Sequence, residues 1–221
     1  MKKSRRKFIT LGSMAGVIGA AVIYWPKWAF NLFTDRKTAA NYQFPVRPAV
    51  SKVSLSPTPP CEDGDVEATQ ALTAGPFYTP NTPERSVLYE PGIAGTPIVV
   101  MGRVLTTDCQ PLAGAVLDFW QADGKGEYDN EGFTLRGHQF TDSQGYYRLE
   151  TVKPGLYPGR TAHIHVRVQG KNTPLLTTQL YFPGEALNEQ DGLYKKPLEV
   201  DMRESGDGKL EAQFDFILRM V

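Results

Sequence analysis

The chain has 221 residues, of which about Cys61 to Val221 are the right size for one domain with a single core. Its formal net charge of zero, from 24 basic and 24 acidic residues, conceals an asymmetry. The N-terminal leader holds Lys2, Lys3, Arg5, Arg6, Lys7 and Lys27 and no acid, leaving 18 basic against 24 acidic residues beyond it, a formal net of −6. An acidic domain without basic clusters excludes nucleic acid as a partner.

In chain order, residues 1–33 read as a twin-arginine signal or anchor. Ser4-Arg5-Arg6-Lys7-Phe8-Ile9 is followed by an apolar, Gly- and Ala-rich run from Leu11 to Ile23. This predicts export of a folded protein by the Tat machinery, to the periplasm or beyond. No A-x-A site follows, so an uncleaved leader would instead anchor the chain to the inner membrane. Residues 34–60, with many Pro, Ser, Thr and Ala, read as an arm or linker. The two cysteines, Cys61 and Cys109, suit either one disulfide in an oxidising compartment or two free thiols.

The domain 61–221 reads as all-β, a β-sandwich core with long loops and few short helices. Strands are expected at Pro97 to Leu105, Ala115 to Trp120, Tyr146 to Leu149, Thr161 to Val168, Leu176 to Phe182 and Gln213 to Leu218. The 21 Gly and 17 Pro fall mainly between these runs, which favours a sandwich over a bundle. Short helical turns are expected near Ala186-Leu187-Asn188-Glu189. The fragments Gly102-Arg103-Val104, Pro111 to Ala115 and Thr141 to Tyr147 resemble prealbumin-like and carboxypeptidase-regulatory modules, which mostly bind or brace.

The chemistry centres on His163-Ile164-His165, two of only three histidines. On a strand, residues i and i+2 share a face, so both imidazoles project together, about 6–7 Å apart at their Cα atoms, with Ile164 turned into the core. That spacing suits one metal ion; the plain alternative is two satisfied histidines on a polar sheet face. The remaining candidate ligands are Tyr128 and Tyr157. A phenol with a pKa near 10 binds only a metal acidic enough to remove its proton, and Fe(III) does this readily. Two imidazoles and two tyrosinates leave a ferric ion with net charge +1, which suits a dianionic catecholate. A two-His, one-carboxylate Fe(II) site is poorly supported, because the third histidine, His138, reads as a surface residue. Tyr146 and Tyr147 alternate faces next to a turn and read as core and surface rather than as ligands.

Taken together, Gly75-Pro76-Phe77-Tyr78, Trp120-Gln121-Ala122 with Tyr128, Tyr157 to His165, and Leu176 to Phe182 resemble the intradiol ring-cleavage dioxygenases, of protocatechuate 3,4-dioxygenase and catechol 1,2-dioxygenase type. The resemblance runs from about Thr73 to Gly184 and is closer to a protocatechuate-type subunit, since the helical N-terminal domain of catechol 1,2-dioxygenases is lacking. It implies a β-sandwich, and Fe(III) held by Tyr128, Tyr157, His163 and His165. Tyr157 would be axial and released on catechol binding, with His165 opposite it and Tyr128 and His163 equatorial. Arg160 would stabilise negative charge on the ring, Gln179 would act beside the site, and Pro76 and Tyr78 would line the substrate pocket. The implied reaction inserts both atoms of O2 between the hydroxyl-bearing carbons of an aromatic diol to give a cis,cis-muconate.

The chain departs from that pattern in its short Tyr157–His163 loop, where Gly159 replaces a tryptophan of the protocatechuate enzymes. The pocket should be more open, which loosens any transfer of substrate preference. The leader suggests a diol met outside the inner membrane, such as a lignin- or polyphenol-derived catechol. Two rivals stand: a metal-free prealbumin-like module binding a ligand in the cell envelope, and an iron- or siderophore-handling protein with little turnover. A homo-oligomer is compatible with the sequence but not fixed by it.

Overall fold

The computed structural model describes residues 66–204 and 210–221. The leader, the 34–60 arm and Cys61 lie outside the described residues, so the export, anchoring and disulfide expectations are not addressed there. Cys109 is free.

Among the described residues nine strands form two sheets. The first has the order β4(Tyr146–Val152)-β1(Pro97–Thr106)-β8(Leu210–Gln213)-β7(Asp201–Glu204), with β9(Phe216–Leu218) also on β1. The second has the order β3(Arg136–Phe140)-β2(Val116–Gln121)-β5(His163–Gln169)-β6(Leu176–Tyr181) and is antiparallel throughout. The β-branched and aromatic strands bury their alternate residues between the sheets: Ile98, Val100 and Val104 from β1 meet Leu117 and Phe119 from β2 and Ile164, Val166 and Val168 from β5. The expected sandwich is therefore the observed architecture.

Two of the expected elements need correction. The run Gln213 to Leu218 is not one strand: β8 and β9 both pair in parallel with β1, in one continuous register, but are interrupted at Phe214-Asp215. There the Asp215 carboxylate accepts the Arg103 N–H at 2.8 Å, in place of a backbone carbonyl. Strands β3 and β7, Arg-Gly-His-Gln-Phe and Asp-Met-Arg-Glu, escape an apolar-pattern reading because both are edge strands rich in polar side chains. The expected helical turn is a 3-10 turn at Asn188–Gln190, with another at Lys196–Leu198. Tyr146 and Tyr147 do alternate, but in the opposite sense: Tyr147 is the core residue, and Tyr146 is half-buried under the Arg103 guanidinium.

The site sits on the face of the second sheet turned away from the core. That face is also covered. The segment from Val66 onwards is stitched across it by Leu72 N–H to Thr177 O (2.8 Å), Thr178 Oγ1 to Gln70 O (2.7 Å) and Gln179 Nε2 to Thr73 O (2.9 Å). Its own start is tied to β9 through Thr69 and Ile217.

Candidate active site

Alternation along β5 turns His163 and His165 to one face and Ile164 to the other, where Ile164 is fully buried in the core. The two imidazoles converge, Nε2 to Nε2, at 3.1 Å. His163 Nδ1 lies 2.6 Å from Thr161 O, and a carbonyl only accepts, so Nδ1 carries the proton and Nε2 presents a lone pair. Both rings are held in the neutral form: burial pulls His163 down to about 4 and His165 well below its ordinary value. His165 stacks in parallel on Trp120, centroids 4.9 Å apart, and its Nδ1 is buried without a hydrogen-bond partner among the described residues.

Tyr128 reaches the pair from the loop after β2, its hydroxyl 3.3 Å from His163 Nε2. Burial pushes its phenol up to about 12, against the opposing pull of the Arg160 and Arg136 charges. Tyr157 comes from the loop before β5 and meets Tyr128 edge-on, centroids 5.8 Å apart. The two tyrosine loops are pressed together: Gly155 N–H donates to Asp123 O at 2.8 Å, and a Cβ on Gly126 (φ +84°) would lie 2.0 Å from Leu156 O. The short Tyr157–His163 connection is a tight turn. Arg160 N–H donates to Tyr157 O at 2.9 Å, with Pro158 second and Gly159 third at φ +77°, the residues that a type II turn requires. The glycine in place of a tryptophan thus has a backbone reason.

Arg160 leaves this turn with its Nε on the Asp191 carboxylate (2.8 and 3.0 Å) and its Nη2 on Gln179 Oε1 (2.6 Å). Gln179 is fully buried opposite His165 on β6. The segment Gly75 to Tyr78 crosses the site in an order that residue type alone did not reveal. Phe77 stacks on Tyr128 at 4.5 Å and meets Tyr157 edge-on at 5.3 Å, and a Cβ on Gly75 would lie 3.4 Å from His165 Cε1. Pro76 is exposed. Tyr78 lies behind Trp120, centroids 4.9 Å apart, donating to Asp118 Oδ2 at 3.1 Å beneath the Arg167 guanidinium. His138 is not a free surface histidine: it is half-buried, with Nδ1 2.9 Å from Thr82 O.

Four further residues shape the site: Phe77 and Trp120, which lie inside the family motifs but were given no role of their own, and Arg136 and Asp191, which were not expected there. Phe77 and Trp120 pack the ligand candidates. Fully buried Arg136 clips Phe77 O (2.5 Å) to Asp129 O (2.7 and 3.0 Å), and so joins the crossing segment to the Tyr128 loop. Asp191 holds Arg160. A cleft of about 340 Å³ opens beside Tyr128, between Ile93, Gln121, Lys125 and Leu135, within the size range of small-molecule sites.

Two neutral, buried imidazoles whose Nε2 atoms lie 3.1 Å apart, with a phenol oxygen 3.3 Å from His163 Nε2, are a donor set that fits one acidic cation. A family model described as Dioxygenase matches residues 73–220. The chain belongs to the intradiol ring-cleavage dioxygenase family.

The match carries the likeness past Gly184, where the recognisable motifs end, to the last strand. Among relatives, a hydroxyquinol 1,2-dioxygenase of Rhizobium sp. (strain MTP-10005) is 28% identical over 177 residues, covering 67% of this chain and 60% of the relative. A protocatechuate 3,4-dioxygenase beta chain of Burkholderia cepacia is 32% identical over 154 residues, covering 57% and 65%. The chain thus spans somewhat under two thirds of these curated relatives' lengths. Among solved structures, the dioxygenase domain of a dioxygenase carbohydrate-binding protein fusion from the cellulolytic bacterium Streptomyces sp. SirexAA-E is 46% identical. It superposes with a TM-score of 0.67 over 70% of this chain and 100% of that one.

Proposed function

We propose that the protein is an exported, Fe(III)-dependent intradiol dioxygenase that cleaves a catechol-type aromatic diol between its hydroxyl-bearing carbons, with both atoms of O2 entering a cis,cis-muconate product. The observation that carries this is the convergence of His165 Nε2 and the Tyr128 hydroxyl on His163 Nε2, at 3.1 and 3.3 Å, with Tyr157 against Tyr128. His163, His165, Tyr128 and Tyr157 would hold the ferric ion, which when bound draws charge from the coordinated diol and makes the ring reactive towards O2.

The chain's own residues then have separate tasks. Tyr157, half-exposed on its turn, would be the more accessible phenol of the ligand set, with an Oη placed to hold a proton given up by the diol. Arg160 puts a fixed guanidinium charge where negative charge develops on the ring, and Gln179 holds that guanidinium through Oε1. Phe77 closes one side against Tyr128 and excludes water. Pro76 and Tyr78 are proposed as contributors to the substrate wall, Tyr78 acting through Trp120.

Export rests on the Arg5-Arg6 leader, and a substrate met outside the inner membrane follows from it. The 46% identical domain belongs to a carbohydrate-binding fusion of a cellulolytic bacterium, which supports plant-derived diols as the substrate class. The test is turnover of catechol by the iron-loaded full chain under 18O2. Two labelled oxygens in the muconate are expected; one or none would overturn the reading. Fractionation of cells making the native protein tests export separately, and an exclusively cytosolic protein would sink that part.

A further inference from the structure

A single carboxylate outside the ligand set reaches both halves of the site. Asp191 lies in the turn after Asn188–Gln190 and is buried, its side chain only 2% exposed. Both of its oxygens face Arg160 Nε, at 2.8 and 3.0 Å. Oδ2 also accepts the Thr161 N–H at 3.0 Å, and Oδ1 the Leu193 N–H at 2.9 Å. Thr161 is fully buried and gripped a second time from the same turn, its Oγ1 donating to Asn188 Oδ1 at 2.7 Å. The carbonyl of that same Thr161 receives the His163 Nδ1 proton at 2.6 Å.

We propose that Asp191 is a positioning residue of the active site, orienting the Arg160 guanidinium directly and the His163 ring through Thr161. The inference rests on the dioxygenase reading above. Arg160 has few other restraints: its Nη2 reaches Gln179 Oε1 at 2.6 Å and Tyr181 Oη at 3.4 Å, and both partners are neutral. Without the carboxylate, a long, rotamer-rich side chain has only neutral contacts on an open turn. On the other branch, the Thr161 carbonyl fixes which nitrogen of His163 is free to bind. Groups that orient a ligand histidine in this way are commonly worth 10–100-fold in metal affinity. One residue therefore couples charge stabilisation on the substrate to retention of the cofactor, and it acts without touching either.

The experiment compares the iron-loaded full chain with Asp191→Asn, Arg160→Ala and the double variant. Asn keeps the shape and one acceptor, so the variant is the one most apt to fold; Asp191→Ser serves the same comparison if it does not. Two readouts are taken: kcat for catechol, and the rate at which a chelator strips iron from the resting protein, followed by its visible band. Asp191→Asn should lower kcat about tenfold, and little of that loss should remain when Arg160 is already alanine. It should also speed iron loss about tenfold, whereas Arg160→Ala should leave iron loss at the parental rate. Independent, multiplying losses of kcat, or parental iron retention in Asp191→Asn, would overturn the role of Asp191 while leaving the dioxygenase reading intact. A parent protein that binds no iron or cleaves no diol would overturn both.

Discussion

At the head of strand β5 both faces are buried, but for opposite reasons. On the inner face Ile164, Val166 and Val168 exclude water by packing against Leu117 and Phe119, and nothing there asks for a partner. On the outer face His163 and His165 are 4% and 2% exposed, buried under the crossing segment, Trp120 and the tyrosine loops. Burial there leaves two neutral imidazoles with converging Nε2 atoms and a buried His165 Nδ1 without a hydrogen-bond partner among the described residues. One face presents only hydrocarbon, and the other presents buried polar atoms. The same alternation of a strand yields a core on one side and a reaction site on the other.

The largest expected effect comes from exchanging a residue on each face. His165→Ala should abolish iron binding and lower turnover by about a thousandfold or more, with little change in thermal stability of the metal-free protein. Ile164→Ala should do the reverse, costing about 2–5 kcal/mol of stability while the folded fraction still takes up iron. Iron stoichiometry beside denaturant melts separates the two; equal losses on both measures would erase the distinction between the faces.

A smaller effect is expected where the tyrosine loops meet. Gly126→Ala puts a Cβ into Leu156 O at a positive φ, so the loops must part, at a cost of about 1–3 kcal/mol. The tyrosinate colour should weaken along with stability. An unchanged spectrum in a destabilised variant would show that Tyr128 and Tyr157 are placed by other contacts.

Acid titration probes the polar face more gently. Burial alone would raise the Asp191 carboxyl, but the Leu193 and Thr161 N–H groups and Arg160 outweigh it and hold it below the ordinary carboxylate value. A depressed native pKa means that the stabilisation is complete above the unfolded carboxyl pKa and is lost as pH falls through the native one. Below about pH 4 the parent should therefore lose stability more steeply than Asp191→Asn. Parallel curves would contradict the ion pair. Smallest of all, Arg203→Ala on edge strand β7, whose pairing with Asp201 is more than half exposed, should shift the melting midpoint by no more than about 1 °C.

What the sequence revealed divides along the same line. The sandwich, the inward Ile164 and the shared face of His163 and His165 were legible because alternation on a strand is a local rule. The candidate ligands Tyr128 and Tyr157, and Arg160, were readable from the family motifs, and the structure sets Tyr128 beside His163, Tyr157 against Tyr128, and Arg160 on Gln179, opposite His165. Asp191 and Arg136 were not, and Phe77 and Trp120, though inside the family motifs, carried no role of their own. Asp191 meets Arg160 across 31 residues of chain, and Arg136 meets Phe77 across 59, so no local period marks either. Pro158 and Gly159 did carry a signal, since Pro followed by Gly is a turn signature that explains the short loop before the histidines. The β8–β9 interruption was hidden because an Asp side chain, rather than a breaker residue, takes over the backbone's role there.

The most direct test is the visible spectrum of the iron-loaded protein, recorded before and after anaerobic addition of catechol. The account predicts a red charge-transfer band from tyrosinate on Fe(III), a shift to longer wavelength with catechol, and a weakened or displaced band in both Tyr128→Phe and Tyr157→Phe. A protein that stays colourless after reconstitution with iron would contradict it and point to a metal-free binding sandwich.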